Sequence, residues 1–126
     1  MQNKILWVLQ WLFGLYFIAV GVMHLVVPEG LPEPLSWMYD LSDTQHVVSG
    51  VAEILGGLGL ILPSVTRIAP WLTPLAAIGL MVVMIAAVVF HVGRDEFANI
   101  GINVVNLVVL GYIAYGRARL VPIDAR

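Results

Sequence analysis

The chain has 126 residues, of which 60% are hydrophobic and 11% are charged, and its mean hydropathy is +0.95. A soluble domain carries about 25% charged residues, so this composition argues against one. The net charge of −2 and the lack of a basic stripe argue against a nucleic-acid partner. Cysteine is absent, which excludes disulfides, thiolate metal sites, iron–sulfur ligation and a thiol redox cycle within the chain.

Four apolar stretches predict an all-α fold, a single domain with four transmembrane helices over residues 5–27, 43–62, 70–92 and 96–115. The first stretch corresponds to about 34 Å of helix, which is enough to cross a bilayer. It is longer than the hydrophobic region of a signal peptide, and no A-x-A cleavage pattern follows it. We therefore expect it to stay in the protein as a helix.

Local signals predict where these helices begin and end. Ser42 and Gln45 have the spacing of a capping box at the start of the second helix, and Pro63 is expected to end that helix. Gly93 is expected to follow the third helix as its C′ residue, and Asp95 to cap the fourth.

The segments outside the helices predict a surface loop and a tail. Residues 28–41 are rich in proline, so we expect a loop on the membrane surface with at most a short helical turn. Trp37 and Tyr39 in this loop are typical of a membrane interface. Residues 117–126 are predicted to form a short polar tail.

The basic residues predict the orientation of the four helices. Arg94 alone falls on one side of a four-span topology. The opposite side, which includes both termini, holds the other basic residues: Lys4, Arg67, Arg117, Arg119 and Arg126. Because basic residues concentrate on the cytoplasmic side, both termini are expected in the cytoplasm.

Polar residues of the predicted spans concentrate in the outer half of this topology: His24, Glu53, His91, Asn103 and Asn106. The cytoplasmic halves are expected to contain almost none. Glu53 alone costs at least about 3 kcal/mol at such a depth. Helical spacing places these residues on faces that should point into the bundle, because lipid cannot satisfy polar groups. The second helix also has small residues that allow a neighbouring helix to approach closely: Ala52, Gly56, Gly57 and Gly59.

Two states of Glu53 are open at this stage. The carboxyl is either protonated and hydrogen-bonded to Asn103 or Asn106, or ionised beside a protonated His24 or His91. Either state suits proton handling or the binding of a polar ligand head. The competing interpretation is structural: interhelical hydrogen bonds for Glu53 and the two asparagines, and simple exposure at the interface for the two histidines.

No metal or haem site is predicted. His24, Glu53 and His91 have acceptable ligand types, but no motif such as HExxH fixes a metal geometry. The two histidines also lack a spacing signature for haem ligation. His46 falls in the first turn of the second helix and is expected to be solvated.

Four segments of the sequence resemble the DoxX-like membrane proteins: Gly21 with His24, Glu53–Pro63, Ala86–His91 and Ala114–Arg117. The resemblance covers nearly the whole chain. It implies a small four-helix protein of the cell membrane, here a bacterial-type inner membrane. The founding member is a subunit of a thiosulfate:quinone oxidoreductase, and others are associated with membrane oxidoreductase complexes. Many relatives carry Lys where this chain has His24, so an ion pair with Glu53 depends here on histidine protonation.

The resemblance implies an accessory or anchor subunit of a membrane oxidoreductase, more a non-catalytic subunit than a self-sufficient enzyme. We expect an outward-facing pocket around Glu53 for a quinone-like or other small lipophilic ligand, and no bound cofactor. The expected partners are the lipid bilayer, redox-complex subunits and a second copy of the chain. The alternative is a non-enzymatic membrane chaperone or assembly module that works through the glycine-rich second helix and the outer loop. The cytoplasmic halves of the helices are expected to have almost no polar groups, which argues against a small transporter.

Overall fold

The computed structural model describes residues 1–126 and contains helices but no strands. The long helices are α1 (Gln2–Val26), α2 (Asp43–Thr66), α3 (Leu72–Val92) and α4 (Phe97–Tyr115). A 3₁₀ helix, Glu33–Asp40, lies between α1 and α2, and we call it the cap segment. A π-helical turn, Gly116–Leu120, extends α4. Four helices are long and apolar enough to cross a membrane, which confirms the predicted four-helix fold.

Each helix packs mainly on the next helix in the chain. α1 lies along α2, α2 against α3, and α3 against α4, whereas α1 and α4 share only a small contact. We call the end with the cap segment and the α3–α4 connection the distal end, and the end with both termini the terminal end. The distal end is the one that the basic residues predict to be outside.

The closest helix contact is between α1 and α2, and glycines make it. A Cβ atom on Gly57 would lie 2.5 Å from the carbonyl oxygen of Gly14, and one on Gly50 would lie 2.8 Å from that of Gly21. No side chain larger than hydrogen fits at these distances without moving a helix. The expected close approach at Gly57 is therefore confirmed.

α2 does not end at Pro63, so that prediction is wrong. The helix continues to Thr66. Proline has no N–H and leaves the carbonyl oxygen of Gly59, four residues earlier, without its helical donor. The hydroxyl of Thr73 on α3 donates a hydrogen bond to this oxygen at 3.1 Å. A neighbouring helix thus satisfies the freed backbone group, which is how membrane helices tolerate proline.

The other helix ends partly follow the local signals. The capping box of α2 is present: the Gln45 backbone N–H donates to Ser42 Oγ at 3.1 Å, and the Ser42 N–H donates to Gln45 Oε1 at 2.9 Å. Glu96, not Asp95, is the N-cap of α4. Gly93 directly follows α3, as expected, but as its C-cap residue with a helical φ of −64°.

The terminal half of the bundle contains a buried line of polar groups. Arg117 Nε donates to Gln10 Oε1 at 2.6 Å, and Gln10 Nε2 donates to Ser64 Oγ at 3.0 Å. Ser64 Oγ lies 2.8 Å from Thr73 Oγ1, and Arg117 Nη1 also donates to Asn3 Oδ1 at 2.8 Å. The expectation that this half has almost no polar groups is wrong. Arg117 is only 4% exposed and belongs to this network, not to a polar tail.

Candidate functional site

A cavity of about 770 Å³ lies in the distal half of the bundle, between all four helices and the cap segment. Hydrophobic residues make up 17 of its 25 lining residues. Polar residues from each helix also face it: His24, Glu53, His91 and Asn103. The fifth predicted residue, Asn106, does not line this cavity and instead donates to Met84 Sδ at 3.6 Å.

Glu53 is the acidic group of the cavity wall. It is only 3% exposed, and its Oε2 is enclosed without a hydrogen-bond partner. The nearest partner is His24 Nε2, at 3.8 Å. Glu53 makes no hydrogen bond to Asn103 or Asn106, so the amide partners expected for a protonated carboxyl are not used. Of the two arrangements open from the sequence, the structure places Glu53 beside His24.

His46 extends this pair towards the distal surface. Its Nδ1 lies 3.0 Å from Nδ1 of His24, and its Nε2 lies 2.8 Å from the carbonyl oxygen of Met38. At 7% exposure it is buried, so the prediction of a solvated histidine is wrong. The cap segment folds over the first turn of α2 and supplies the Met38 carbonyl. A signal was available, because His46 shares a helical face with Glu53, seven residues later.

Trp37 of the cap segment packs between two histidines of the site. Its ring centroid lies 4.9 Å from that of His91, edge to face, and 5.9 Å from that of His24. Trp37 Nε1 is enclosed and has no hydrogen-bond partner. Trp37 therefore forms part of the cavity wall. Neither His24 nor His91 is exposed as a simple interfacial residue: both are buried, at 3% and 2% exposure.

Ionic contacts hold the cap segment to the α3–α4 connection. Arg94 donates to Asp40 Oδ2 at 2.6 Å and to Glu96 Oε1 at 2.7 Å. His91 Nδ1 lies 3.0 Å from the same Glu96 oxygen. Burial raises the pKa of Glu96, but the hydrogen bonds from Arg94 and His91 outweigh it and hold that pKa below its ordinary value.

The cavity is not closed on its sides. Some of its lining side chains are also exposed on the outer surface of the bundle, at 41% to 63%: Tyr16, Val48, Val82 and Ile102. They come from all four helices and lie within the membrane-spanning lengths. The cavity is therefore partly open and not a sealed void.

The match to a protein family covers the distal cavity and most of the four helices. A model of the DoxX-like family matches residues 8–113. The chain belongs to this family. The matched range contains the whole cavity wall and ends before Arg117. No curated protein and no solved structure matches the chain. The family and the four apolar helices together show a multi-pass membrane protein of the DoxX type.

Proposed function

We propose that this DoxX-like protein binds a small lipophilic molecule with a polar head in the distal cavity, as an accessory or anchor subunit of a membrane oxidoreductase. One observation carries the proposal: two polar atoms of the apolar cavity wall, Trp37 Nε1 and Glu53 Oε2, are enclosed without hydrogen-bond partners. Each such group costs about 1–3 kcal/mol when it stays unpaired. An occupant that supplies both partners therefore recovers this cost.

The two unpartnered atoms define the chemistry of the occupant's head. Trp37 N–H can only donate, so the head must accept a hydrogen bond. The Glu53 carboxyl accepts from a hydroxyl, or donates to an oxygen when it is protonated. A quinone or phenol ring with an alkyl tail meets both requirements. The volume of about 770 Å³ lies within the range of ligand pockets, and the cavity is partly open, so a small molecule can enter it.

The oxidoreductase part of the proposal is supported by the family. The chain contains no cysteine, so the proposal assigns electron carriers to partner subunits and a lipophilic binding site to this chain. The chaperone alternative has less support, because the glycines it needs are used inside the bundle. Gly57 and Gly50 face α1, and Gly56 faces Leu80 of α3.

The binding proposal is tested with a decyl-substituted ubiquinone and with decylbenzene, which has the same tail and no polar head. Calorimetry on the full chain in lipid nanodiscs should show at least about tenfold tighter binding of the quinone. Replacing Trp37 with Phe keeps a ring and removes the N–H, so affinity should fall about fivefold, or about 1 kcal/mol. Trp71→Phe is the matched control, since Trp71 is 64% exposed and does not line the cavity.

Equal binding of quinone and decylbenzene, or equal effects of the two tryptophan variants, would refute the binding proposal. The subunit part has its own test. Purification from native membranes in a mild detergent should recover the chain together with a subunit that contains flavin, haem or an iron–sulfur cluster. Recovery of the chain alone would refute that part and leave the binding result unaffected.

A further inference from the structure

Three titratable side chains form a line from the cavity towards the distal end, where it stops beneath the cap segment. Glu53 Oε2 lies 3.8 Å from His24 Nε2, and the other ring nitrogen of His24 lies 3.0 Å from His46 Nδ1. The remaining nitrogen of His46 lies 2.8 Å from the Met38 carbonyl oxygen, in the cap segment at the distal end. Both imidazoles are thus contacted through both of their nitrogens.

The Met38 carbonyl determines which nitrogen of each neutral ring carries the proton. A carbonyl oxygen only accepts, so His46 Nε2 carries its proton and His46 Nδ1 is an acceptor. His24 Nδ1 lies against that acceptor and must therefore be the donor. His24 Nε2 is then an acceptor, and it faces Glu53. A proton shared by Glu53 and His24 can therefore lie only on the carboxyl or on His24 Nε2.

Other groups around the line leave this assignment unchanged. His91 of α3 is hydrogen-bonded to Glu96, which in turn accepts from Arg94. Asn103 of α4 does not titrate, and Trp37 presents only an N–H. A hydrophobic layer separates Glu53 from the polar network of the terminal half, and it contains the buried residues Phe17, Leu60, Leu80 and Leu110. The polar line from Glu53 thus leads to the distal end.

We propose that Glu53, His24 and His46 form a proton relay between the cavity and the distal surface, and that a hydroxyl of the occupant completes it. The part about the occupant rests on the proposed function. The 3.8 Å gap between Glu53 and His24 is too long for a hydrogen bond. Glu53 Oε2 is enclosed, so a hydroxyl oxygen about 2.8 Å from both atoms bridges the gap once the carboxyl turns towards the cavity.

The transfer balances in protons and moves no electron. The Glu53 carboxyl gives a proton through the bridging hydroxyl to His24 Nε2, and His24 Nδ1 passes its proton to His46 Nδ1. His46, which keeps 7% exposure, then releases its Nε2 proton to water when its hydrogen bond to the Met38 carbonyl opens. The Glu53 carboxylate takes one proton from the occupant, so one O–H bond breaks there and one proton reaches the solvent. Both imidazoles stay neutral and exchange tautomers, and ring rotation resets them.

Nitrogen NMR on the full chain in nanodiscs, with ¹⁵N-labelled histidine, tests the relay without any ligand. The neutral rings should carry their protons on Nδ1 in His24 and on Nε2 in His46. His46→Gln keeps both hydrogen bonds, because the amide oxygen accepts from His24 and the amide N–H donates to the Met38 carbonyl. The amide cannot relay a proton between its two ends. Exchange of the His24 Nδ1 proton with water should slow at least about tenfold in this variant. A His24 proton on Nε2, or an unchanged exchange rate, would overturn the relay.

The occupant's hydroxyl is tested with 4-decylphenol and 4-decylanisole, a methyl ether that accepts a hydrogen bond but has no proton to share. The ether should bind at least about tenfold more weakly. Equal affinities would overturn the role of the hydroxyl. If neither probe binds while the decyl-substituted ubiquinone does, the role of the hydroxyl is overturned and the ligand function stands. The tautomers and exchange rates decide the relay in either case.

Discussion

A methyl group on Gly57 should force α1 and α2 apart. The Cβ of Gly57→Ala would lie 2.5 Å from the backbone oxygen of Gly14 and 2.8 Å from Cγ1 of Ile18. Ordinary carbon contacts are about 3.5–4.0 Å, so the helices must separate by about 1 Å at this point. A flexible side chain could move aside, but the first of these neighbours is backbone, so the helix itself has to shift.

The expected cost follows from this overlap. Overpacking of a well-packed interior costs about 1–3 kcal/mol. Alanine also favours the helix over glycine by up to about 1 kcal/mol, which works in the opposite direction. Gly79→Ala measures that favourable effect alone, because a Cβ on Gly79 meets no atom within 4 Å. The difference between the two variants therefore gives the energy of the helix contact.

Thermal unfolding of both variants in the same nanodiscs measures this difference. Gly57→Ala should lower the melting temperature by at least about 2 °C, and Gly79→Ala should leave it unchanged or raise it. The separation also moves His24 of α1 away from Glu53 of α2, so the affinity for the decyl-substituted ubiquinone should fall in Gly57→Ala only. Equal melting temperatures for the two variants would show that the glycine contact does not hold these helices together.

Other predictions concern the terminal network, the proline in α2 and the distal ion pairs. Arg117→Met should lower the free energy of unfolding by at least about 2 kcal/mol, because the substitution leaves buried acceptors without donors. Arg119 is exposed, so Arg119→Met should change the free energy of unfolding by less than about 0.5 kcal/mol. Thr73→Val should cost about 1–3 kcal/mol by leaving the Gly59 carbonyl unpaired, and Thr73→Ser should restore most of the stability; equal unfolding energies for the two would contradict this. The pKa of Glu96 is lowered from its ordinary value of 4.5. The ion pairs of Glu96 therefore stabilise the fold fully above pH 4.5, and this stabilisation is lost as the pH falls through the lowered pKa. Glu96→Gln should therefore flatten the acid side of a plot of melting temperature against pH, and an unchanged acid side would count against the ion pairs.

Helical spacing was sufficient to predict which faces of the helices point inwards. On α1, Gly14, Phe17, Gly21 and His24 recur at intervals of three and four residues, and all four are buried. Glu53 on α2 is buried in the same way. These faces depend on the period of the helix and on the incompatibility of polar groups with lipid, which are local properties of the sequence.

Contacts between distant segments could not be predicted in this way. Spacing indicates the inward face of His46 but not the cap segment that covers it. Pro63 is tolerated because Thr73 comes from another helix, and Arg117 is buried because it reaches Gln10, 107 residues earlier. Each outcome depends on how two segments approach each other in space. Spacing along one helix contains no information about that approach.

The hydrogen bonds of Arg117 have a consequence for the order in which the chain assembles. α1 and α2 meet through neighbouring parts of the sequence, so this hairpin can form while the remainder is still being synthesised. The bonds from Arg117 to Asn3 and Gln10 join residues 114 and 107 positions apart, and they can form only after α4 is complete. Newly made chains should therefore pass through a state with two helical hairpins and no link between the first helix and the last. Arg117 then completes the bundle by joining α1 to the end of α4.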